Sequence, residues 1–337
     1  MEALERLGHE VVPVDTTWQP RGAQGLAIRL LRRATGWAYD TAGVNNALVE
    51  TAVSHRPEVV WVDKGVTLLP ATLKRVRDEL PKTRLVSYSP DDMGVKTNSS
   101  YQYRRAIPEY DLHVTTKAYH VPELYRNGAR AVIRLNCAYC PRMHRPVAVA
   151  PADRLRLGGP VGFIGTFEKD RAEVIWFLVQ SGLRVRVWGG GRWRRWAAKR
   201  RHSNLIVENR GVFGDEYAGA ICSFDILLGF LSGLSHKDLH TTRSVEIPAC
   251  GGFLLAERTE EHLKLFEEGV EAEFFSSREE LLEKCRYYLA HPEARRRVAT
   301  AGRERCLRSD YSYDRHVAAV LDALRSRADG GPAYAFT

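Results

Sequence analysis

Residues 241–262 read TTRSVEIPACGGFLLAERTEEH, and this stretch contains the most informative pattern in the second half of the chain. Its first part, SVEIPAC, predicts a helical turn, and its apolar part, GFLLAE, predicts a buried strand. Another apolar run, DILLGF, precedes the stretch at 225–230. A helix that begins between two such strands starts at the carboxyl edge of a parallel sheet, where doubly wound domains bind ligands. The residues around Glu246 are therefore candidates for a binding site.

Predicted strands and helices alternate along both halves of the chain, which is the order found in doubly wound parallel sheets. In the first half the predicted strands are 11–14, PEVVWVDK, RLVSYSPDD, DLHVTTK and AVIRL. In the second half they are PVGFIGTF, RVRVWG, DILLGF and GFLLAE. Amphipathic segments between them, such as ATLKRVRDELPKT, predict helices. The expected fold class is α/β, with two Rossmann-like doubly wound domains that face a cleft.

A segment rich in proline and glycine, RPVAVAPADRLRLGGP, interrupts this alternation. The chain also begins inside a helix, although a doubly wound domain normally opens on its central strand. We expect the first strand to lie upstream of Met1, so that the N-terminal domain lacks it. The predicted organisation is a Rossmann-like domain at 1–145, a linker at 146–160, a second Rossmann-like domain at 161–315, and a C-terminal helix and tail at 316–337.

Composition limits the cellular setting and the class of partner. A content of 44% hydrophobic and 27% charged residues is ordinary for a soluble globular protein. No signal peptide is visible and the six cysteines form no disulfide framework, which favours the cytoplasm. A net charge of +9 indicates an anionic partner, either a phosphate-bearing ligand or, by peripheral contact, the inner face of a membrane. It is weak evidence for nucleic acid, and no nucleic-acid partner is expected.

A carboxylate at position 246 has a chemical use at the edge of a sheet. The dipole of the helix that begins there favours its negative charge, and a carboxylate can accept two hydrogen bonds from a vicinal diol such as ribose. Gly251 and Gly252 let the backbone turn tightly and approach a ligand. A capped helix that ends on glycine explains the same pattern equally well, and the residues alone leave both interpretations open.

Residues 241–306 strongly resemble the donor-binding half of glycosyltransferases with the two-Rossmann GT-B fold, most of all the CgeB-like (spore-maturation) branch. The most specific part is Arg243-x-x-Glu246-Ile-Pro-Ala-Cys-Gly-Gly252. The resemblance implies that the C-terminal domain holds a nucleotide-sugar donor and that the N-terminal domain holds the acceptor. Further stretches extend it over nearly the whole chain, and they are VGFIGTFEKDR, RVRVWGGGRW, VFGDEYAGAICSFDILLGF, YSPDDMG and DLHVTTKAYHVPEL.

This resemblance implies that Glu246 holds the donor ribose. Related retaining enzymes have a second glutamate eight positions earlier, where this chain has Asp238. The shorter acid leaves its role and the stereochemical outcome open. For VGFIGTFEKDR, the resemblance implies that Gly165 and Thr166 offer backbone N–H groups to a diphosphate, with the dipole of the following helix adding to them. A plain strand–turn–helix joint is the alternative for that segment.

Three basic residues are candidates to neutralise the departing diphosphate, and they are Lys169, Arg171 and Arg243. By the same resemblance, the motif VFGDEY implies that the nucleobase lies near Val212 and Phe213, with Tyr217 close by.

In the first half, SYSPDDMG ends a predicted strand and delivers Asp91 and Asp92 to the sheet edge. One of these carboxylates could take the proton from an acceptor hydroxyl or orient a sugar. Adjacent residues at a strand end point apart, so at most one is expected to face the reaction. His120 is an alternative base. A structural role in the loop or near a helix cap remains open for all three.

Two spacing patterns point to other chemistry but lack its remaining parts. Cys137-x-x-Cys140 with His144 has the spacing of metal ligands, but a second pair at zinc-finger distance is missing. Three glycines at 189–191 follow a strand but lack the Gly-x-Gly-x-x-Gly register of a nicotinamide site. We predict neither a metal nor a nicotinamide at these positions.

Two basic, aromatic-containing segments carry an open functional interpretation. GGGRWRRWAAKRRH at 189–202 has six basic residues, two tryptophans and no acid. GLAIRLLRRATGWAY at 25–39 has similar character. Such segments can lie on an anionic membrane or reach a phosphorylated acceptor, and they can equally be solvated helix faces.

The expected function is transfer of a hexose from a nucleotide-diphosphate sugar to an acceptor hydroxyl. GT-B enzymes generally need neither a metal nor a cofactor besides the donor, and this chain has no Asp-x-Asp metal motif. Two alternatives stay open, a nucleotide-sugar epimerase of the same fold and an inactive nucleotide-sugar-binding or scaffold protein.

Overall fold

The computed structural model describes residues 1–15, 22–96, 98–233 and 237–328. The chain divides into two compact units, one formed by Met1–Asn136 with His316–Thr337 and the other by Cys137–Arg315. The predicted C-terminal segment is helical to Ala328 and groups with the first unit, and its last nine residues lie outside the described residues. In the described part of the chain, no helix combines the length and the apolar character needed to cross a bilayer.

The first unit contains a four-stranded parallel sheet in the order β1-β2-β3-β4. Its strands are β1 Val59–Asp63, β2 Arg84–Ser89, β3 Leu112–Thr115 and β4 Val132–Arg134. Its helices are α1 Glu2–Arg6, α2 Gly22–Thr35, α3 Val44–His55, α4 Pro70–Glu79, α5 Tyr101–Ala106 and α6 Val121–Arg126. Short 3₁₀ turns cover Ile107–Glu109 and Ala118–His120, and the second of these follows β3.

One predicted strand of this unit is wrong. Residues 11–14 have no regular secondary structure, and Val12 is 40% exposed. Pro13 lies between Val12 and Val14 and cannot donate a ladder hydrogen bond, which disfavours pairing of the run. Only Val14 packs against the core of the first unit.

The second unit contains a six-stranded parallel sheet in the order β10-β9-β8-β5-β6-β7. Its strands are β5 Gly159–Ile164, β6 Val185–Trp188, β7 Leu205–Glu208, β8 Phe224–Gly229, β9 Leu254–Glu257 and β10 Glu273–Phe275. Its helices are α7 Pro151–Leu157, α8 Lys169–Gln180, α9 Gly191–Ala197, α10 Gly214–Ser223, α11 Thr242–Ala249, α12 Glu260–Leu265, α13 Arg278–Ala290 and α14 Pro292–Arg308, and α15 Tyr313–Ala328 begins in this unit.

Residues 146–160, predicted as a linker, instead contain α7 and the start of β5 and belong to the second unit. Pro151 occupies the first turn of α7, where proline starts a helix rather than breaking one. Pro151, one of the prolines that indicated a linker, therefore has a local structural use.

The strand order reverses between β5 and β8. From β5 the chain runs through α8 to β6 on one side, whereas from β8 it runs through α11 to β9 on the other. Connections that leave neighbouring strands in opposite directions open a crevice at the carboxyl ends of those strands. The loops that follow β5 and β8 border this crevice.

The end of the Arg243–Gly252 motif is packed tightly between the last turn of α11 and the start of β9. Gly251 has a φ of +76°, a conformation that suits glycine, and it completes the turn after α11. A Cβ at Gly252 would lie 2.8 Å from Cγ2 of Ile221 and 3.1 Å from the carbonyl oxygen of Ile247. The second glycine is therefore required by close packing against α10 and α11.

We predict that Gly252→Ala lowers the free energy of unfolding by about 1–3 kcal/mol, because the added methyl group overpacks a core that cannot open freely. Urea denaturation followed by tryptophan fluorescence measures the effect. Gly190→Ala is the matched control, because a Cβ there meets no described atom within 4 Å and φ is −76°. Equal stability of the Gly252 variant and the control would contradict the packing interpretation.

Candidate functional site

Helix α11 is held in place by side chains that lie close to it in sequence and in space. The Thr241 and Ser244 side chains form a capping box at its N-terminus. Nδ1 of His262 donates to the carbonyl of Glu257 (2.7 Å), so its Nε2 accepts from the Ser244 hydroxyl (2.7 Å). His262 is fully buried, and this chain of bonds joins α11 to the end of β9. The orientation of α11 is thereby set.

Glu246 lies in the second turn of α11, with its side chain 13% exposed. The hydroxyl of Tyr217, from α10, donates to its Oε2 at 2.7 Å. Nε2 of His144 faces its Oε1 at 3.8 Å, while Nδ1 of the same ring accepts from the Cys140 N–H. Burial lowers the pKa of His144, and Glu246 only partly opposes this shift, so a neutral imidazole faces the carboxylate. One carboxylate oxygen is thus bound, and the other has no short hydrogen bond from His144.

The hydroxyl of Tyr217 remains protonated because burial and the nearby Glu246 both raise its pKa well above the usual value. It therefore acts as a permanent hydrogen-bond donor to Glu246. His144 was considered in the sequence only as a metal ligand. Its contact with Glu246 depends on the path of the chain after residue 137, which no local pattern reveals.

Arg243 is the second residue of α11 and supplies positive charge beside Glu246. Its Nε is buried and has no hydrogen-bond partner among the described residues, while its Nη1 donates to Oγ1 of Thr242 at 3.2 Å. Its charge also acts on Arg171, whose pKa is lowered mainly by burial and further by Arg243. The Arg243 guanidinium, with one buried donor unused among the described residues, favours an anion in this part of the crevice.

A network of side chains ties together the loops after β5 and β8. The Glu168 carboxylate accepts from the Gly233 N–H at 2.8 Å and from the Ser232 hydroxyl at 3.2 Å. Arg171 donates to the carbonyl of Leu231 at 2.8 and 3.0 Å and pairs with Glu168 at 3.0 Å. These bonds hold the two sides of the crevice at a set distance. The sequence did not single out Glu168, although this residue directly precedes α8 and follows the implied diphosphate contacts Gly165 and Thr166.

Two candidate diphosphate contacts are already used within the protein. The Gly165 N–H donates to the carbonyl of Trp188 at 2.9 Å, so it has no free hydrogen to offer a phosphate. Arg171 is 11% exposed and bonded to Leu231 and Glu168, which makes it a support of the loop rather than a free cation. The resemblance implied the role of Gly165, and Arg171 was a candidate because of its charge. Both roles are limited by bonds to residues that are distant in sequence.

Other candidates have different degrees of exposure. Thr166 and Lys169 are exposed at the start of α8, whereas Val212 is buried in the core. Phe213 is 81% exposed, and its ring lies against Gly211, where a Cβ would meet it at 2.8 Å. Asp238 is half-buried and lies within electrostatic reach of Arg171. Thr166, Lys169 and Phe213 are therefore open to solvent, Asp238 is partly so, and Val212 belongs to the core.

The first unit brings two separately predicted residues together. Asp92, three residues after β2, and His120, at the end of the 3₁₀ turn after β3, meet with Oδ1 and Nε2 2.7 Å apart. Their side chains are 12% and 5% exposed. The Gly94 N–H also donates to Oδ1 of Asp92 at 2.9 Å. A carboxylate that binds Nε2 of a histidine orients the ring and leaves Nδ1 as its second proton-transfer site.

Asp91 turns away from this pair and forms an ion pair with Lys64. It is 40% exposed, and its backbone N–H donates to the Ser89 hydroxyl at 3.3 Å. The neighbouring aspartates thus have different partners, and Asp92 is the one that contacts a candidate base.

The two spacing patterns have structural uses. Cys137 and Cys140 are buried, and the Cys137 N–H donates to Nε2 of His240 at 2.9 Å. Within the described ranges, no group of three or more histidine, cysteine, aspartate or glutamate side chains is arranged to hold a metal. Gly189 packs against Trp193, which a Cβ at that glycine would meet at 2.3 Å.

The α/β fold with two parallel-sheet units is that of GT-B glycosyltransferases. Sucrose-phosphate synthase from Thermosynechococcus elongatus has a TM-score of 0.60 at 13% identity, over 85% of this chain and 78% of that one. Anabaena Alr3699/HepE in complex with UDP-glucose has a TM-score of 0.56 at 13% identity, over 83% and 82%. A putative UDP-N-acetylglucosamine 2-epimerase from Listeria monocytogenes has a TM-score of 0.51 at 13% identity, over 87% and 80%.

Residues 171–322 match a family model described as glycosyl transferase-like. This segment contains α10, α11 and the quoted motif. No curated protein sequence matches the chain. The family match and the fold together support a transferase of the GT-B type, and the expectation of two Rossmann-like sheets is confirmed.

We predict that Asp92→Asn destabilises the first unit at neutral pH and that the difference disappears in acid. Burial would raise the pKa of Asp92, but hydrogen bonds from His120, Gly94 and Tyr119 outweigh it and lower the pKa below the usual 3.8. A depressed carboxylate pKa stabilises the fold above the unfolded-state value, and the benefit is lost as pH falls through the folded-state value. Urea denaturation between pH 7 and pH 2.5 measures this. A difference from the wild type that does not change with pH would exclude the linkage.

Proposed function

We propose that this protein transfers a hexose from a nucleotide-diphosphate sugar to an acceptor hydroxyl. The observation that carries the proposal is the pairing of Glu246 with Tyr217 beside Arg243 at the crevice of the second sheet. A carboxylate that accepts hydroxyl groups and a cation with an unused buried donor suit the ribose and the diphosphate of one ligand. We also propose that it belongs to the CgeB-like branch, on the resemblance of the motif that ends at Gly252.

The donor would bind along the crevice of the second unit. Glu246 would accept from the ribose hydroxyls with Oε1, because Tyr217 already occupies Oε2. Arg243 and the N-terminus of α11 would stabilise the diphosphate, with Thr166 and Lys169 available from the α8 side. Phe213, whose ring is exposed, would provide an apolar contact for the base. HepE, a protein of the same fold, has been crystallised with UDP-glucose and with UDP.

Proton transfer would rest on the His120–Asp92 pair in the first unit. The Nε2–H of His120 would stay hydrogen-bonded to Asp92. Nδ1 of His120 would then accept the proton of the acceptor hydroxyl, and the Asp92 carboxylate would stabilise the resulting imidazolium. Positive charge from Arg243 and the α11 dipole would stabilise the departing diphosphate, so we propose that transfer needs no metal. Asp238 would orient the transferred sugar from the loop that precedes α11.

Epimerisation of a nucleotide sugar is the second candidate. A putative epimerase shares the fold over 87% of this chain, and the reaction would use the same donor crevice without an acceptor. Chromatography of a nucleotide sugar incubated with the protein alone distinguishes the candidates. An epimer formed without acceptor favours this second function, and no conversion of any donor, with or without acceptors, favours a binding or scaffold protein.

We predict that Glu246→Ala weakens nucleotide binding by at least tenfold, because hydrogen bonds from hydroxyls to an ionised group are lost. A thermal-shift screen with UDP, GDP and dTDP first identifies the ligand, since a ligand bound only by the folded state raises its melting temperature. Isothermal titration then gives the affinity. Glu283→Ala, at an exposed position of α13, is the matched control. Unchanged affinity in a folded Glu246 variant would refute the ribose role.

We predict that His120→Ala lowers kcat for glycosyl transfer by about 10²–10⁴-fold, the usual contribution of a general base, and leaves the donor affinity unchanged. Asp92→Asn should shift the pH profile of kcat, because the side chain hydrogen-bonded to Nε2 of His120 becomes neutral. His55→Ala is the control within the same unit, since His55 is exposed at the end of α3. Full activity of the His120 variant would remove this pair from the mechanism.

A further inference from the structure

Helix α2 exposes an apolar surface that no described residue covers. Leu26 is 53% exposed, Leu30 is 59% exposed and Leu31 is 47% exposed. Ala27 and Ala34 are also exposed and lie on the same side of the helix by their spacing. Trp37 and Tyr101, whose ring centroids are 6.1 Å apart, are 36% and 49% exposed. We refer to Leu26, Leu30 and Leu31, together with the Trp37–Tyr101 pair just beyond the end of the helix, as the α2 surface.

The other side of α2 is attached to the first unit. Ile28 and Arg32 are half-buried, and Nη2 of Arg32 donates to the carbonyl of Ser99 at 3.2 Å. The Tyr101 N–H donates to the carbonyl of Gly36 at 2.8 Å, just after the helix ends. The buried side chain of Gln102 then bonds both backbone groups of Ala38. These bonds hold the leucine side of α2 outward.

Arginine side chains border the α2 surface. Arg29 and Arg33 are exposed on the helix next to Leu26 and Leu30. Arg105 lies 5.7 Å from the ring centroid of Tyr101, and Arg104 is exposed beside it. Within the part of the chain that the structure describes, none of the four has an ion-pair partner. The α2 surface therefore combines exposed leucines, exposed aromatic rings and arginines without an ion-pair partner among the described residues.

We propose that the α2 surface binds the surface of an anionic lipid bilayer. An amphipathic helix with leucines on one face and arginines at its border lies in the interface, where leucines enter the acyl boundary and arginines meet anionic headgroups. Tryptophan and tyrosine rings are enriched at the depth of the lipid headgroups. A second copy of the chain fits less well, because an antiparallel two-fold contact through the leucines would bring Arg29 and Arg33 close to their own copies. This inference is independent of glycosyl transfer.

The basic segment at 189–202 lacks this combination. Its two tryptophans, Trp193 and Trp196, are 0% and 9% exposed and pack inside the second unit. Arg194 and Arg195 are exposed but have no exposed large apolar side chain beside them in this segment. We therefore assign the membrane contact to α2. Arg194 and Arg195 carry the same charge as Arg29 and Arg33 and serve as the control pair.

Co-sedimentation with vesicles of pure phosphatidylcholine, and of phosphatidylcholine with 30 mol% phosphatidylglycerol, tests the proposal on the full chain. We expect binding to the anionic vesicles alone. Leu26→Ser with Leu30→Ser should weaken it on the order of tenfold, and Arg29→Gln with Arg33→Gln should do so by a similar factor. Arg194→Gln with Arg195→Gln removes the same charge and should change binding less than twofold.

Circular dichroism confirms that each variant remains folded, and both pairs of α2 substitutions lie on exposed positions. Three results would overturn the proposal. The first is no binding of the wild-type protein to anionic vesicles. The second is an equal loss of vesicle binding in the Arg29/Arg33 variant and the Arg194/Arg195 variant, which would mean nonspecific charge attraction. The third is a dimer in sedimentation velocity that the leucine variant dissociates, because a second copy would then cover the surface.

Discussion

The reversal of strand order between β5 and β8 is the constraint on which the candidate donor site depends. Because the chain leaves these neighbouring strands in opposite directions, their following loops diverge and leave backbone groups at the sheet edge without sheet partners. Glu168 and Arg171 satisfy several of these groups by bonds to Gly233 and Leu231. The crevice is thus held open by internal hydrogen bonds, and α11 begins beside it with Glu246 in a set position.

Both candidate sites solve the same electrostatic problem. A carboxylate that is largely buried is costly unless hydrogen bonds or opposite charges compensate for lost water. Tyr217 does this for Glu246, and His120 does it for Asp92. In each case the hydrogen bond uses only one oxygen of the carboxylate. Arg243 is the complementary case, a cation whose buried Nε has no partner within the described residues.

Local sequence specifies some elements of this fold and leaves others open. The strands with continuous apolar runs are present, because strands buried on both faces require such runs. Residues 11–14 form no strand, because Pro13 cannot donate a ladder hydrogen bond. Residues 146–160 contain α7, because Pro151 occupies a first-turn position that favours a helix. The Gly165 N–H and the Arg171 guanidinium were candidate contacts of a diphosphate. In the fold they donate instead to the carbonyl oxygens of Trp188 and Leu231.

The sequence by itself determined the alternation of elements, the α/β class and the motif that contains Glu246, because these depend on the order and spacing of nearby residues. Tertiary structure alone decided which polar groups are already bonded and which apolar side chains are exposed. It paired Asp92 with His120, and it buried Trp193 while leaving Leu30 in solvent, although both lie in basic segments of similar composition. The physical reason is that burial and hydrogen bonding depend on neighbours that are distant in the chain.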